Sequence, residues 1–114
     1  MVQSKPEGAT RVSWGFLSNH ALALITIGRS PESTGLQLAT AVGITERATR
    51  RILVDLQDAG YITREKVGRN SRYRVDSDRL LVRVPGRGLT AGQLLEFVEG
   101  RYVTTAEKRE NLEG

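Results

Sequence analysis

Residues 42–75 read VGITERATRRILVDLQDAGYITREKVGRNSRYRV, and the punctuation of this stretch decides the fold. Gly43 closes one short apolar-periodic segment, and Thr45 can cap the next by accepting a backbone N–H bond. Within that next segment Thr49, Ile52, Leu53 and Leu56 share one side, while Arg47, Arg50 and Arg51 take another. Gly60 marks its end, because a left-handed residue after the last turn suits glycine. Beyond Gly60 the chain alternates like a strand, turns near Gly68 to Asn70, and returns as Arg72–Tyr73–Arg74–Val75. Gly68 can take φ > 0 at the tip, and the alternation turns Tyr73 and Val75 to the core. The order is helix, tight turn, helix, basic hairpin. It predicts a mainly α chain with one small β-hairpin, an α+β architecture.

Working outward, Ser18 is a good N-cap, and Leu17, Ala21, Leu24, Ile25 and Gly28 give helical spacing to about Gly28. Leu17 can staple onto Leu22, and Trp14 and Phe16 are expected to join the aromatic core. Pro31 breaks the chain in a loop, after which Thr34 or Gly35 opens a short second helix burying Leu38, Ala39 and Val42. Ala39 lies four residues before Gly43, where two steeply crossing helices need a small side chain. The third helix is expected over residues 46–59, and strands over 61–67 and 71–75. Leu80, Leu81, Val82 and Val84 form a strand-like apolar run ended by Pro85–Gly86. Thr90 then caps a fourth helix with a Leu94, Leu95 and Val98 stripe, Phe97 beside it. The expected organisation is an N-terminal arm over 1–13, a folded domain over 14–82, a linker and C-terminal helix over 83–103, and a polar tail over 104–114.

Composition narrows the chemistry. The 114 residues suit one core, and the N-terminus lacks the apolar stretch of a secretory signal. No apolar run approaches the roughly 20 residues of a membrane span, so no membrane partner and a cytoplasmic location are expected. The absence of cysteine excludes disulfides and thiolate metal sites. His20, the only histidine, cannot assemble a metal site by itself and is expected to cap or pack. No cofactor is expected. No nucleophile, base and oxyanion site occur together, so no enzyme is expected either. The net charge of +4 is concentrated: residues 60–75 hold five basic residues against Glu65, leaving the other residues balanced. A polyanion is the natural partner of such a patch.

Residues 14–81 resemble the winged helix-turn-helix transcriptional regulators of the MarR-like kind. The resemblance rests on WGFLSNHALAL (14–24), VGITERATRRI (42–52) and DLQDAGYITREKVGRNSRYRV (55–75), and is nearest to small actinobacterial regulators of that type. It implies a winged helix-turn-helix fold, a third helix lying in the major groove, and a basic wing along the DNA backbone or minor groove. Thr49 stands where this motif usually has Val or Ile, and its hydroxyl can bond a carbonyl one turn back. Such proteins usually carry longer terminal helices that build a dimer and a ligand pocket. Here only the segment after Leu80 is available for that job, and the sequence names no effector.

The position after the turn makes ordinary surface arginines into candidate contacts. Arg47 and Arg51 are expected to read bases, since Arg can fork onto guanine O6 and N7. Arg50 suits phosphate, as do Thr45 and the helix N-terminus. Glu46 can accept from cytosine but more simply complements the helix dipole. On the wing, Arg69, Asn70 and Arg72 are expected on phosphate or in the minor groove, with no compensating acid nearby. Arg64 and Lys66 are weaker candidates because Glu65 adjoins both. The reading is a sequence-specific double-stranded DNA-binding regulator acting as a homodimer through the C-terminal helix, with the first helix as a second candidate surface. The alternative is a winged-helix module for protein or RNA.

Overall fold

Hydroxyl side chains start every helix of the computed structural model, which describes residues 12–100. Ser18 Oγ accepts from the Ala21 N–H at 3.1 Å and opens α1 (Asn19–Arg29). Thr34 opens α2 (Gly35–Val42) with a reciprocal box, in which Thr34 takes the Gln37 N–H and Gln37 Oε1 takes the Thr34 N–H. Thr45 Oγ1 accepts from Ala48 at 3.0 Å and opens α3 (Glu46–Asp58). Thr90 and Gln93 repeat the box at α4 (Ala91–Val98). These are the caps the sequence predicts, each worth about 1 kcal/mol.

Between α3 and α4 lies one antiparallel hairpin, β1 (Ile62–Val67) and β2 (Asn70–Val75). Ile62 stands opposite Val75 and Val67 opposite Asn70, so the loop is only Gly68–Arg69, with Gly68 at φ 63°. Glycine first in a two-residue loop matches the twist of the flanking strands. Directly paired residues share a face. Ile62, Tyr73 and Val75 therefore lie on one face with Arg64 and Lys66, while Thr63, Glu65, Arg72 and Arg74 lie on the other. Tyr73 is buried and Val75 packs against the core, as the alternation predicts.

Leu24 and Ile27 of α1, Leu38 of α2 and Ile52, Leu53 and Leu56 of α3 meet in one core. The inward stripe of α1 is rotated from the expected one. Ala23 and Ile27 are buried, while Gly28 faces Leu95 of α4, whose Cδ1 would lie 2.7 Å from an added Cβ. Trp14 and Phe16 do not enter the core: they are 59% and 91% exposed, packed edge to face with centroids 5.0 Å apart. They precede the Ser18 cap, so helical periodicity does not carry them inward.

Two long-range devices complete the domain. Helix α3 ends in a pair of back-bonds, Tyr61 N–H to Leu56 O at 2.9 Å and Gly60 N–H to Gln57 O at 3.0 Å, with Gly60 at φ 85°. The same turn buries Tyr61, whose hydroxyl donates to Leu80 O at 2.8 Å and accepts from the Val82 N–H at 3.0 Å. The 80–84 run is accordingly not a strand: it is a strap held by Tyr61, with one isolated bridge between Leu80 and Thr90. Ala91 N–H to Arg79 O and Gly92 N–H to Ser77 O, both 2.9 Å, dock the start of α4 behind it.

Candidate nucleic-acid interface

Helix α3 is divided lengthwise. Thr49, Ile52, Leu53 and Leu56 are buried, and at about 100° per residue Arg47, Arg51 and Val54 fall on the opposite side. Arg50 lies on one flank and Asp55 on the other. Asp55 accepts from His20 of α1, Nε2 to Oδ2 at 2.8 Å with both side chains about half exposed. His20 thus bridges two helices and does not serve as the cap or packing residue expected from the sequence, because α1 crosses α3 beside Asp55. Arg47, Arg50 and Arg51 are exposed and make no ion pair among the described residues. Glu46 is exposed in the first turn, where a carboxylate complements the amide dipoles.

The start of α3 is set by a tightly tied corner. Ala39 O accepts both the Gly43 N–H at 2.8 Å and the Ile44 N–H at 3.0 Å, and Ala39 is buried. Gly43 sits at φ 85° with open space where a Cβ would be, so its backbone angle, not crowding, calls for glycine. Thr45 O accepts both the Thr49 N–H and the Thr49 hydroxyl at 3.0 Å, the one-turn bond expected for a hydroxyl at that position. Thr45 Oγ1 accepts from Ala48, which leaves its own O–H available to donate outward.

On the hairpin, Arg64, Lys66, Arg69, Asn70 and Arg72 are all exposed. Two expectations about their charge are corrected by register. Glu65 adjoins Arg64 and Lys66 in sequence but points to the other face and pairs with Arg74 at 2.9 Å. Arg72, expected to lack an acid, lies 3.9 Å from Glu32 of the α1–α2 loop. Both groups are more than half exposed there, and such a pair contributes at most about 1 kcal/mol. Arg64 Nε donates to Ser71 Oγ at 2.9 Å, which orients its guanidinium.

The Tyr73 N–H donates to Pro31 O at 2.9 Å and fastens β2 to the loop that starts α2. Between them opens a cleft of about 550 Å³ with Ser33, Thr34 and Gly35 on one wall and Arg64, Arg69 and Arg72 on the other. Sequence reading misses this juxtaposition, because residues 31–35 signal only a break and a helix start. It also passes over Val54, an apolar side chain 52% exposed among the arginines of α3.

Among the described residues some cations are neutralised and others are not. Arg29 meets Glu99 at 2.8 Å, Arg79 meets Asp76 at 3.5 Å, and Arg74 meets Glu65. Arg47, Arg50, Arg51, Arg64, Lys66 and Arg69 have no acidic partner among the described residues, nor do Arg83 and Arg87 of the later loop. Among the described residues no three His, Cys, Asp or Glu side chains gather as a metal site, and no helix is long and apolar enough to cross a membrane. No protein-family model, no curated protein and no solved structure matches the chain.

Proposed function

We propose that the chain is a winged helix-turn-helix transcriptional regulator of MarR-like type that binds double-stranded DNA sequence-specifically as a homodimer. The observation that carries the reading is the set of six exposed cations without an acidic partner among the described residues that α3 and the hairpin gather on neighbouring elements. A folded protein holds like charges close together at a cost in self-repulsion that a polyanion removes. Helix α3, about 20 Å long at 1.5 Å per residue, fits the major groove with its first turns toward the bases. Arg47 and Arg51 then read guanine edges. Thr45, Arg50 and the wing residues Arg64, Lys66, Arg69, Asn70 and Arg72 hold phosphates, and Glu46 stays with the helix dipole. The mechanism is steric: an occupied operator controls polymerase access.

Selection of bound duplexes from a random pool tests this. A short inverted repeat with half-sites about one helical turn apart is the expected product; enrichment of RNA alone, or of nothing, overturns the proposal. Arg50, Arg64, Lys66, Arg69 and Arg72 on phosphates give a salt slope of roughly −4.5 per protomer. Arg69→Ala and Arg72→Ala should each reduce its magnitude by about 1 on every sequence, and unchanged slopes would return the wing to a solvated edge.

A further inference from the structure

Phe16 is the most exposed large apolar side chain of residues 12–100, at 91%, and its one ring partner is Trp14, itself 59% exposed. Beside it runs an apolar groove of about 360 Å³, with Leu24, Leu56 and Tyr61 in its floor and Leu81, Val82 and Leu94 among its walls. The Tyr61 hydroxyl holds the Leu80–Val82 wall in place through both its bonds, and Arg83 comes next but one after Leu81 in the left-handed region at φ 60°. Phe16 stands at the rim of this groove and not within it.

We propose that this face pairs with the same face of a second copy, Phe16 of each protomer entering the groove of the other. A knob and a hole on one patch satisfy each other reciprocally about a two-fold axis, the condition for a closed dimer. Area supports a second copy as the occupant. The exposed parts of Trp14 and Phe16 amount to roughly 300 Å². Leu17, Val82 and Val84, exposed by 43%, 71% and 36%, bring the patch to roughly 550 Å² per copy. Two such patches bury about 1,100 Å², above the roughly 1,000 Å² that a specific protein interface must clear.

Charge agrees: among the groove-lining side chains only His20 and Arg83 are of basic type and none is a carboxylate, and His20 is already bonded to Asp55. A polyanion finds little purchase there. Within the C-terminal helix, Leu95 packs on Gly28 of the same protomer, while Leu94 lines the groove. The inference rests on the duplex-binding reading only for the use the pair is put to, and its test needs no DNA.

Trp14 is the only tryptophan, so its emission reports on this face alone. Sedimentation of the full chain across the micromolar range should show a two-fold rise in mass, with Trp14 emission moving to the blue in step. Phe16→Glu should keep its far-UV dichroism, stay monomeric and lose the emission shift, and Val82→Glu on the groove wall should do the same. A monomer at every concentration overturns the proposal, including one whose Trp14 is already shifted because other parts of the chain cover the groove. So does a dimer formed without an emission shift, or one that survives Phe16→Glu. A dimer that ignores duplexes would sink the DNA reading and leave this one standing.

Discussion

The surroundings of Tyr61 and the outer surface of α3 with the hairpin use polar groups in opposite ways. At Tyr61 the N–H, the carbonyl and both capacities of the hydroxyl are all spent inside the chain, on Leu56, Asp76, Leu80 and Val82. No buried side-chain nitrogen or oxygen of the described residues lacks a partner. Across the outer surface, Arg47, Arg50, Arg51, Lys66 and Arg69 are spent on nothing within the described residues. The contrast teaches where substitutions act: inside they should change the folded state, outside they should leave it intact.

The largest effect should come from the inside. Ile27 is fully buried, and Ile27→Ala should cost about 2–5 kcal/mol through lost transfer energy and a residual cavity. That is much of the stability of a small domain. A urea midpoint that barely moves would break the comparison at its root. Next comes Tyr61→Phe, which leaves the Val82 N–H and Leu80 O without their partner and should cost about 1–3 kcal/mol. Hydrogen exchange at Val82 should speed up with duplex affinity unchanged; an unaltered exchange rate would show that the strap is held by packing alone.

The outer surface predicts the reverse pattern. Arg47→Ala and Arg51→Ala should each lose about 1–3 kcal/mol on the preferred duplex and relax one base position. Thermal unfolding should stay within about 0.5 kcal/mol of wild type. Equal losses on preferred and random duplexes would assign both residues to the backbone. The smallest effect belongs to Thr49→Val, a substitution on the buried side of α3, one turn from its Thr45 cap. Thr45 O keeps its bond from the Thr49 N–H when the hydroxyl is removed, so unfolding free energy should change by less than about 1 kcal/mol. A larger destabilisation, read from the same urea curves, would mean that the hydroxyl bond orients the start of α3.

Agreement between sequence and structure tracks the range of the interactions. Ser18, Thr34, Thr45 and Thr90 are readable as caps because a cap bonds three residues ahead. Gly43, Gly60 and Gly68 are readable as turns because positive φ is a property of one residue. The inward side of α3 and the burial of Tyr73 come from periods of about 3.6 and 2. Wherever a partner lies far off along the chain, sequence reading fails. Trp14 and Phe16 resemble core by composition, yet no helix carries them inward. The 80–84 run resembles a strand by residue type, yet its backbone bonds go to a phenol and an isolated bridge.

Charge shows the same division. Local sequence alone settled that the start of α3 and the hairpin are basic and that the candidate residues Thr45 to Arg51 and Arg64 to Arg72 include the exposed cations, because amphipathic periods separate polar from apolar positions without reference to any other element. Which cations are neutralised was settled in three dimensions. Antiparallel register turned Glu65 toward Arg74, the α1–α2 loop brought Glu32 to Arg72, and the crossing of α1 over α3 gave Asp55 to His20. Each of those pairs depends on chain segments brought together by the common core, and hydrophobic burial, being non-directional, leaves no trace of such partners in the sequence around either member.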